Sequence, residues 1–167
     1  RIRTSPMRMW HPIMWHDRSE IFERTLLLVS LLVGATLLFM LYQRDTNWAR
    51  CGGAAPDTRI RACTAIIHSG FEFAASLSRA YSNRGAAYRR KGDRDHALDD
   101  YDEAVRLSPT NARALHNRGV IYGEQELYEL ALEDFDKAIM IEPGYANAWN
   151  ARCWTKVIMG RARDAVN

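Results

Sequence analysis

The sequence predicts an all-α chain: a solenoid of helical hairpins, about two and a half repeats long, preceded by one apolar helix. Three observations carry this. The chain superimposes on itself at a shift of 34 residues. Within each repeated block the apolar residues recur at spacings of three and four, the period of one helix face. Residues 25–42 form a run of eighteen without a single charge.

Taken from the N-terminus, residues 1–24 read as a tail facing the cytoplasm, and residues 25–42 as a transmembrane or signal-anchor helix. Eighteen helical residues extend about 27 Å, close to the roughly 30 Å hydrocarbon core of a bilayer. A cleaved signal would have a shorter apolar core followed by small residues. Here Leu41-Tyr42-Gln43-Arg44-Asp45 follows instead. A cleaved signal and a buried core helix remain as alternatives. Arg3, Arg8, Arg18 and Arg24 precede the run and Arg44 and Arg50 follow it, a bias toward an N-terminus in the cytoplasm. Trp10 and Trp15 on one side, with Tyr42 and Trp48 on the other, suit the two interfaces. The expected location is the inner (plasma) membrane, single-pass, with the repeats on the periplasmic or extracellular side. The alternative is a secreted or periplasmic soluble protein.

Charge supports this division. The formal net charge is +3. Residues 1–75 carry nine Arg against six acids, and residues 76–167 carry fourteen basic and fourteen acidic residues. The repeat half is neutral, which argues against nucleic-acid binding. A mean hydropathy of −0.34 excludes a polytopic membrane protein and leaves room for one span.

Residues 43–77 form a linker and a degenerate capping half-repeat. In residues 57–70, Ile60, Cys63 and Ile67 occupy one helix face. Cys51 and Cys63 lie just past the apolar run with eleven residues between them. In an exported domain they are free to pair, closing a loop that stabilises by about 3 kcal/mol. In a cytosolic one they stay as thiols. No His/Cys spacing suits zinc.

The repeats follow at 78–111, 112–145 and, incomplete, 146–167. The first two blocks share twelve of 34 positions, among them Arg79/Arg113, Asn83/Asn117, Arg84/Arg118, Gly85/Gly119, Tyr88/Tyr122, Ala97/Ala131, Asp100/Asp134 and Pro109/Pro143. The third keeps Trp149, Arg152, Gly160 and Ala165, with Cys153 at the glycine position as an expected packing residue. In each block a first helix carries Tyr81, Gly85 and Tyr88 or their equivalents. A turn such as Gly92-Asp93 follows, and then a second helix with Ala97, Leu98, Tyr101, Ala104 and Val105 on one stripe. Gly85 and Ala97 allow close approach of the two helices. Pro109 ends the block and Asn111 can cap the next helix.

Leu115, Gly119, Tyr122, Ala131, Phe135, Ala138 and Pro143 stand at the spacings at which this sequence resembles the tetratricopeptide repeat (TPR) family. The lead-in Trp48, Cys51 and Ala62-Cys63-Thr64 resembles membrane-tethered or exported bacterial members. The resemblance implies a non-catalytic protein–protein interaction module whose first helices line a concave groove. It would place Arg79, Asn83, Arg89, Arg90, Arg113, His116, Asn117, Asn147 and Asn150 along that groove. Asn can bond both strands of polarity in a peptide backbone, and Arg forks onto carboxylates. The implied partner is a protein or peptide, acidic in character. Ser82 and Ala86 stand where the cochaperone carboxylate clamp has its Lys/Asn pairing, so a chaperone-tail function is not implied. Self-association, or packing within a larger assembly beyond Asn167, is the alternative.

No motif points to catalysis or to a cofactor. His11, His16, His68, His96 and His116 form no HExxH or metal-like set, and there is no phosphate loop or GxSxG elbow. Asp99, Asp100, Asp102 and Glu103 read as an outward acidic face, with a calcium site as the lesser alternative.

Overall fold

The computed structural model describes residues 13–160, with side chains from Phe22 onward. Arg3, Arg8 and Trp10 lie outside the described residues, as do the side chains of Trp15 and Arg18 and repeat residues 161–167, Ala165 among them. The described residues form seven α-helices: α1 Ile13–Gly53, α2 Pro56–His68, α3 Ala74–Arg90, α4 Arg94–Leu107, α5 Ala112–Glu124, α6 Tyr128–Ile141 and α7 Ala146–Ile158. The chain divides into two units, at residues 1–43 and 44–167.

In the first unit the apolar run lies within α1. It is long and apolar enough to cross a membrane by length and composition, with none of its apolar window buried. Leu31, Leu32, Leu38 and Met40 are each about two-thirds exposed. Among the described residues no protein surface covers this run, as a soluble core helix would require.

The second unit is a stack of antiparallel hairpins in which each helix from α2 to α7 packs on the next, and α3 and α5 also touch, as do α5 and α7. Trp48 and Cys51 belong to the last turns of α1. Cys51 and Cys63 are joined in a disulfide, with Cα atoms 4.9 Å apart. Both are fully buried with Ala62, Ile66 and Ala80, and Trp48 and Ile67 pack against them. The buried face of α2 therefore centres on Ala62, Cys63 and Ile66, while Ile60 is only half-buried.

The repeat glycines have the anticipated reason. A Cβ on Gly85 would meet Tyr101 Cε1 at 2.9 Å and the Ala97 carbonyl oxygen at 3.1 Å. One on Gly119 would meet Phe135 Cε1 at 2.8 Å and the Ala131 oxygen at 3.1 Å. Only a bare backbone admits the aromatic ring of the second helix. The hairpin turns also match. Gly92 and Glu126, one repeat apart, both have positive φ, at 81° and 64°. They precede the same closing bond, from Asp93 N to the Tyr88 oxygen and from Leu127 N to the Tyr122 oxygen. Asn111 caps α5, its side chain accepting from Ala114 N at 3.1 Å.

Two expectations are corrected here. The acidic cluster of α4 is only partly the outward face expected: Asp99 and Asp102 are exposed, but Asp100 is not. Asp100 is 4% exposed and takes a bidentate fork from Arg84, at 2.9 and 2.7 Å. Asp102 accepts from Arg118 of the next repeat at 2.8 Å. Cys153 is exposed rather than packed. Gly85 and Gly119 each face an aromatic of the following helix, and among the described residues no helix follows α7.

Candidate functional site

A pocket of about 410 Å³ opens where the end of α1 meets the first helices of two repeats. Trp48 and Gly52 come from α1, Arg79, Ser82 and Asn83 from α3, and Asn111 and Arg113 from the start of α5. The disulfide and the apolar cluster around it bring the α1 end beside α3. The 34-residue register then sets Arg113 one repeat away from Arg79.

The lining residues are held to different degrees. Asn111 is fully engaged: its amide donates to Ser78 Oγ at 2.8 Å while its oxygen caps α5. Ser78 in turn donates to the Ala104 oxygen at 2.7 Å. Arg79 lies over the Trp48 ring at 5.3 Å, which orients a guanidinium while leaving its hydrogen-bond donors open. Arg113 is exposed and Asn83 half-buried. Ser82 is 2% exposed, and its hydroxyl has no hydrogen-bond partner among the described residues. The pocket thus presents two guanidinium groups and the Asn83 amide beside an indole, with the Ser82 hydroxyl buried beneath them. Such a set suits a carboxylate or the backbone of an extended segment.

Of the nine groove residues anticipated from sequence, Arg79, Asn83 and Arg113 line this pocket. The others lie elsewhere. Arg89 clamps Glu124 at 2.9 and 3.2 Å, and Arg94 takes the other oxygen of Glu124 at 2.8 Å, so this basic residue ties α3 to the end of α5. Arg90 is exposed and outside the pocket. His116 is half-buried between Phe135 and Tyr145, with ring centroids 5.9 and 5.1 Å away. Its Nδ1 lies 3.2 Å from Asn117 Oδ1. Burial pushes its pKa below the ordinary histidine value, so it is a neutral packing residue at pH 7. Asn147 and Asn150 are exposed on α7. Part of the basic character of the first helices is therefore consumed inside the stack, by Arg84, Arg89 and Arg118. Trp48, Gly52, Ser82 and Asn111 were not among the groove residues anticipated from sequence. The signal that could have found them is the Trp48–Cys51 lead-in, because a bond from Cys51 to Cys63 necessarily delivers that turn of α1 to the first repeat.

Among the described residues no group of His, Cys, Asp or Glu is placed to hold a metal ion.

Family models match this stretch: a TPR repeat model covers residues 85–126 and a tetratricopeptide repeat model residues 112–145. Residues 85–145 are tetratricopeptide repeats. Solved structures share the fold. MamA superimposes with a TM-score of 0.62 at 19% identity, over 95% of this chain and 91% of that one. A second MamA structure matches at 0.58 and 23% identity, and this chain spans 58% of its length. The first TPR of Spaghetti (RPAP3), bound to the HSP90 peptide SRMEEVD, matches at 0.60 and 20% identity, over 72% of this chain and 92% of that one. Comparison with curated proteins finds no match.

Proposed function

We propose that this chain is a membrane-tethered TPR module that holds an acidic segment of a partner protein in the pocket between α1, α3 and α5. The observation that carries this is the pocket itself, which gathers Arg79, Arg113 and Asn83 around Trp48. The RPAP3 repeats hold a peptide whose sequence is rich in acids, which supports a peptide as the ligand class here. Residues 25–42 supply the tether, and the disulfide supports an oxidising compartment, the periplasmic or extracellular side, for the repeats.

Two measurements test this. Fluorescence anisotropy with labelled acidic peptides compares the native chain with an Arg79→Glu/Arg113→Glu variant. Affinity falls at least tenfold if the two guanidinium groups bind the peptide, and unchanged affinity removes the pocket from the mechanism. Thiol labelling in intact cells, with and without reductant, tests the compartment: Cys51 and Cys63 react only after reduction if the repeats are exported.

A second reading has its own observation. Trp154, Val157 and Ile158 on α7 and Met140 on α6 are exposed apolar side chains, which supports self-association. Light scattering of the native chain and of Trp154→Glu separates this reading from a monomeric tether.

A further inference from the structure

The short loop between α2 and α3 contains the two most exposed large apolar residues of the described chain, Phe71 at 82% and Phe73 at 83%. The residue between them does the opposite. The Glu72 side chain is 2% exposed. It accepts from Arg44 Nε at 2.7 Å and Nη2 at 3.4 Å, and from Trp48 Nε1 at 3.3 Å. Gly70, with φ 73°, turns the chain out of α2, and Phe73 has extended backbone before α3 begins. In an extended segment alternate side chains point to opposite sides. Glu72 is turned inward while the phenyl rings on either side of it stay outward, and no described residue covers them.

The anchor point of this loop is what gives the exposure a meaning. Arg44 follows Tyr42, the last residue of the apolar run, by two positions. Along a helix that is a rise of about 3 Å. Sequence adjacency alone thus keeps Glu72, through its fork with Arg44, within one side-chain length of the end of the run. The interfacial layer of a bilayer is roughly 6 Å thick on each side of the hydrocarbon core, and aromatic side chains concentrate there. We infer that Phe71 and Phe73 form a second membrane contact: a two-ring wedge, pinned by the Glu72–Arg44 ion pair, that rests in the lipid interface beside the end of the span. The inference rests on the reading of residues 25–42 as a retained membrane span. A protein partner for the two rings is the competing occupant. The lipid surface is favoured because the loop is tied to the residue that leaves the membrane.

The test uses the full chain carrying Cys153→Ser, with the disulfide intact, reconstituted in phosphatidylcholine vesicles. An environment-sensitive fluorophore is placed at Ser69→Cys, beside the loop, at Glu126→Cys in the α5–α6 turn, or at Leu32→Cys in the apolar run. Quenching by lipids carrying a nitroxide near the headgroup is then read at each position. The label at 69 is expected to be quenched several-fold more strongly than that at 126. Adding Phe71→Ser/Phe73→Ser should bring it down to the level at 126, while circular dichroism shows the helices unchanged. Quenching at 69 equal to that at 126, with 32 strongly quenched, overturns the wedge and leaves the span standing, as does quenching at 69 that ignores the serine pair. A label at 32 that lipid does not quench overturns the span and the wedge together.

Discussion

Arg118 closes a fork on Asp134: Nε lies 2.8 Å from Oδ2 and Nη2 lies 2.8 Å from Oδ1. Its third nitrogen, Nη1, reaches Asp102 of the preceding repeat, also at 2.8 Å. Arg84 makes the same fork on Asp100 and extends to Thr64 of α2 at 3.0 Å. Arg152 carries the ladder on, 2.6 Å from Asp136. Each arginine thus fastens the two helices of its own hairpin or reaches back to the hairpin before it. Arg118 also lies over the Tyr122 ring at 5.7 Å.

Removing one partner of this ladder strands the other. Asp134 is 2% exposed, so Arg118→Ala leaves a buried carboxylate without its cation. The expected cost is about 3 kcal/mol in chemical denaturation, because an uncompensated buried charge is the expensive state. Arg118→Met combined with Asp134→Leu is expected to recover most of that loss. A double variant as unstable as Arg118→Ala would contradict this account.

The glycines separate close approach from chain entropy. Gly119→Ala drives a methyl into Phe135 and is expected to cost about 2 kcal/mol. Gly123→Ala, four residues along the same helix with open space around it, is expected to stabilise by about 0.5–1 kcal/mol. Thermal melts of the two variants should therefore move in opposite directions.

Glu126 holds the left-handed turn position that Gly92 and Gly160 hold in the neighbouring repeats. For a residue with a side chain this conformation costs of order 1 kcal/mol. Glu126→Gly is expected to raise the melting temperature, and Gly92→Ala to lower it.

The disulfide closes a short loop, with a sequence separation of 12 between Cys51 and Cys63. Its removal by Cys51→Ser/Cys63→Ser is expected to cost about 3 kcal/mol. The loss should be local. Amide exchange is expected to quicken in α2 and the start of α3 far more than in α5 and α6, since repeat arrays couple mainly to nearest neighbours.

Acidification tests the buried histidine. Burial lowers the pKa of His116 below its ordinary 6.5, so the unfolded chain takes up the proton first. Stability contributed by this group is full above about pH 6.5 and falls as pH drops toward the folded pKa. His96, exposed and hydrogen-bonded to Asp93, has a raised pKa and works in the opposite sense, adding stability below pH 6.5. Denaturation between pH 7 and pH 5 should show a shallower loss in His116→Gln than in the native chain. A steeper one would refute the assignment.

How much was legible beforehand follows from where each cause lies. The hairpins, Gly85 and Gly119 against their aromatic partners, and the Asn111 cap are all written at short spacing, so the period exposes them. The arginine ladder was missed because Arg84 and Arg118 sit among other basic residues on helices whose polar faces look alike in sequence. Arg79 and Arg84 differ by five positions, well over a full turn, yet one stacks on Trp48 at a pocket and the other is sealed against Asp100. Asn147 and Asn150 were expected along the groove because the repeat register continues; they lie on α7, outside the pocket at the α1 end, whose lining reaches as far as Arg113 of the second repeat.

By itself the sequence determined the all-α class, the 34-residue repeat and the apolar run, because periodicity and hydropathy are properties of a chain read locally. The tertiary structure decided which of several similar arginines turn inward, that the last turns of α1 complete the pocket, and that Phe71 and Phe73 stay uncovered. Those outcomes depend on contacts between residues 12 to 35 positions apart, set by how helices cross and by which surfaces are left after the core has formed.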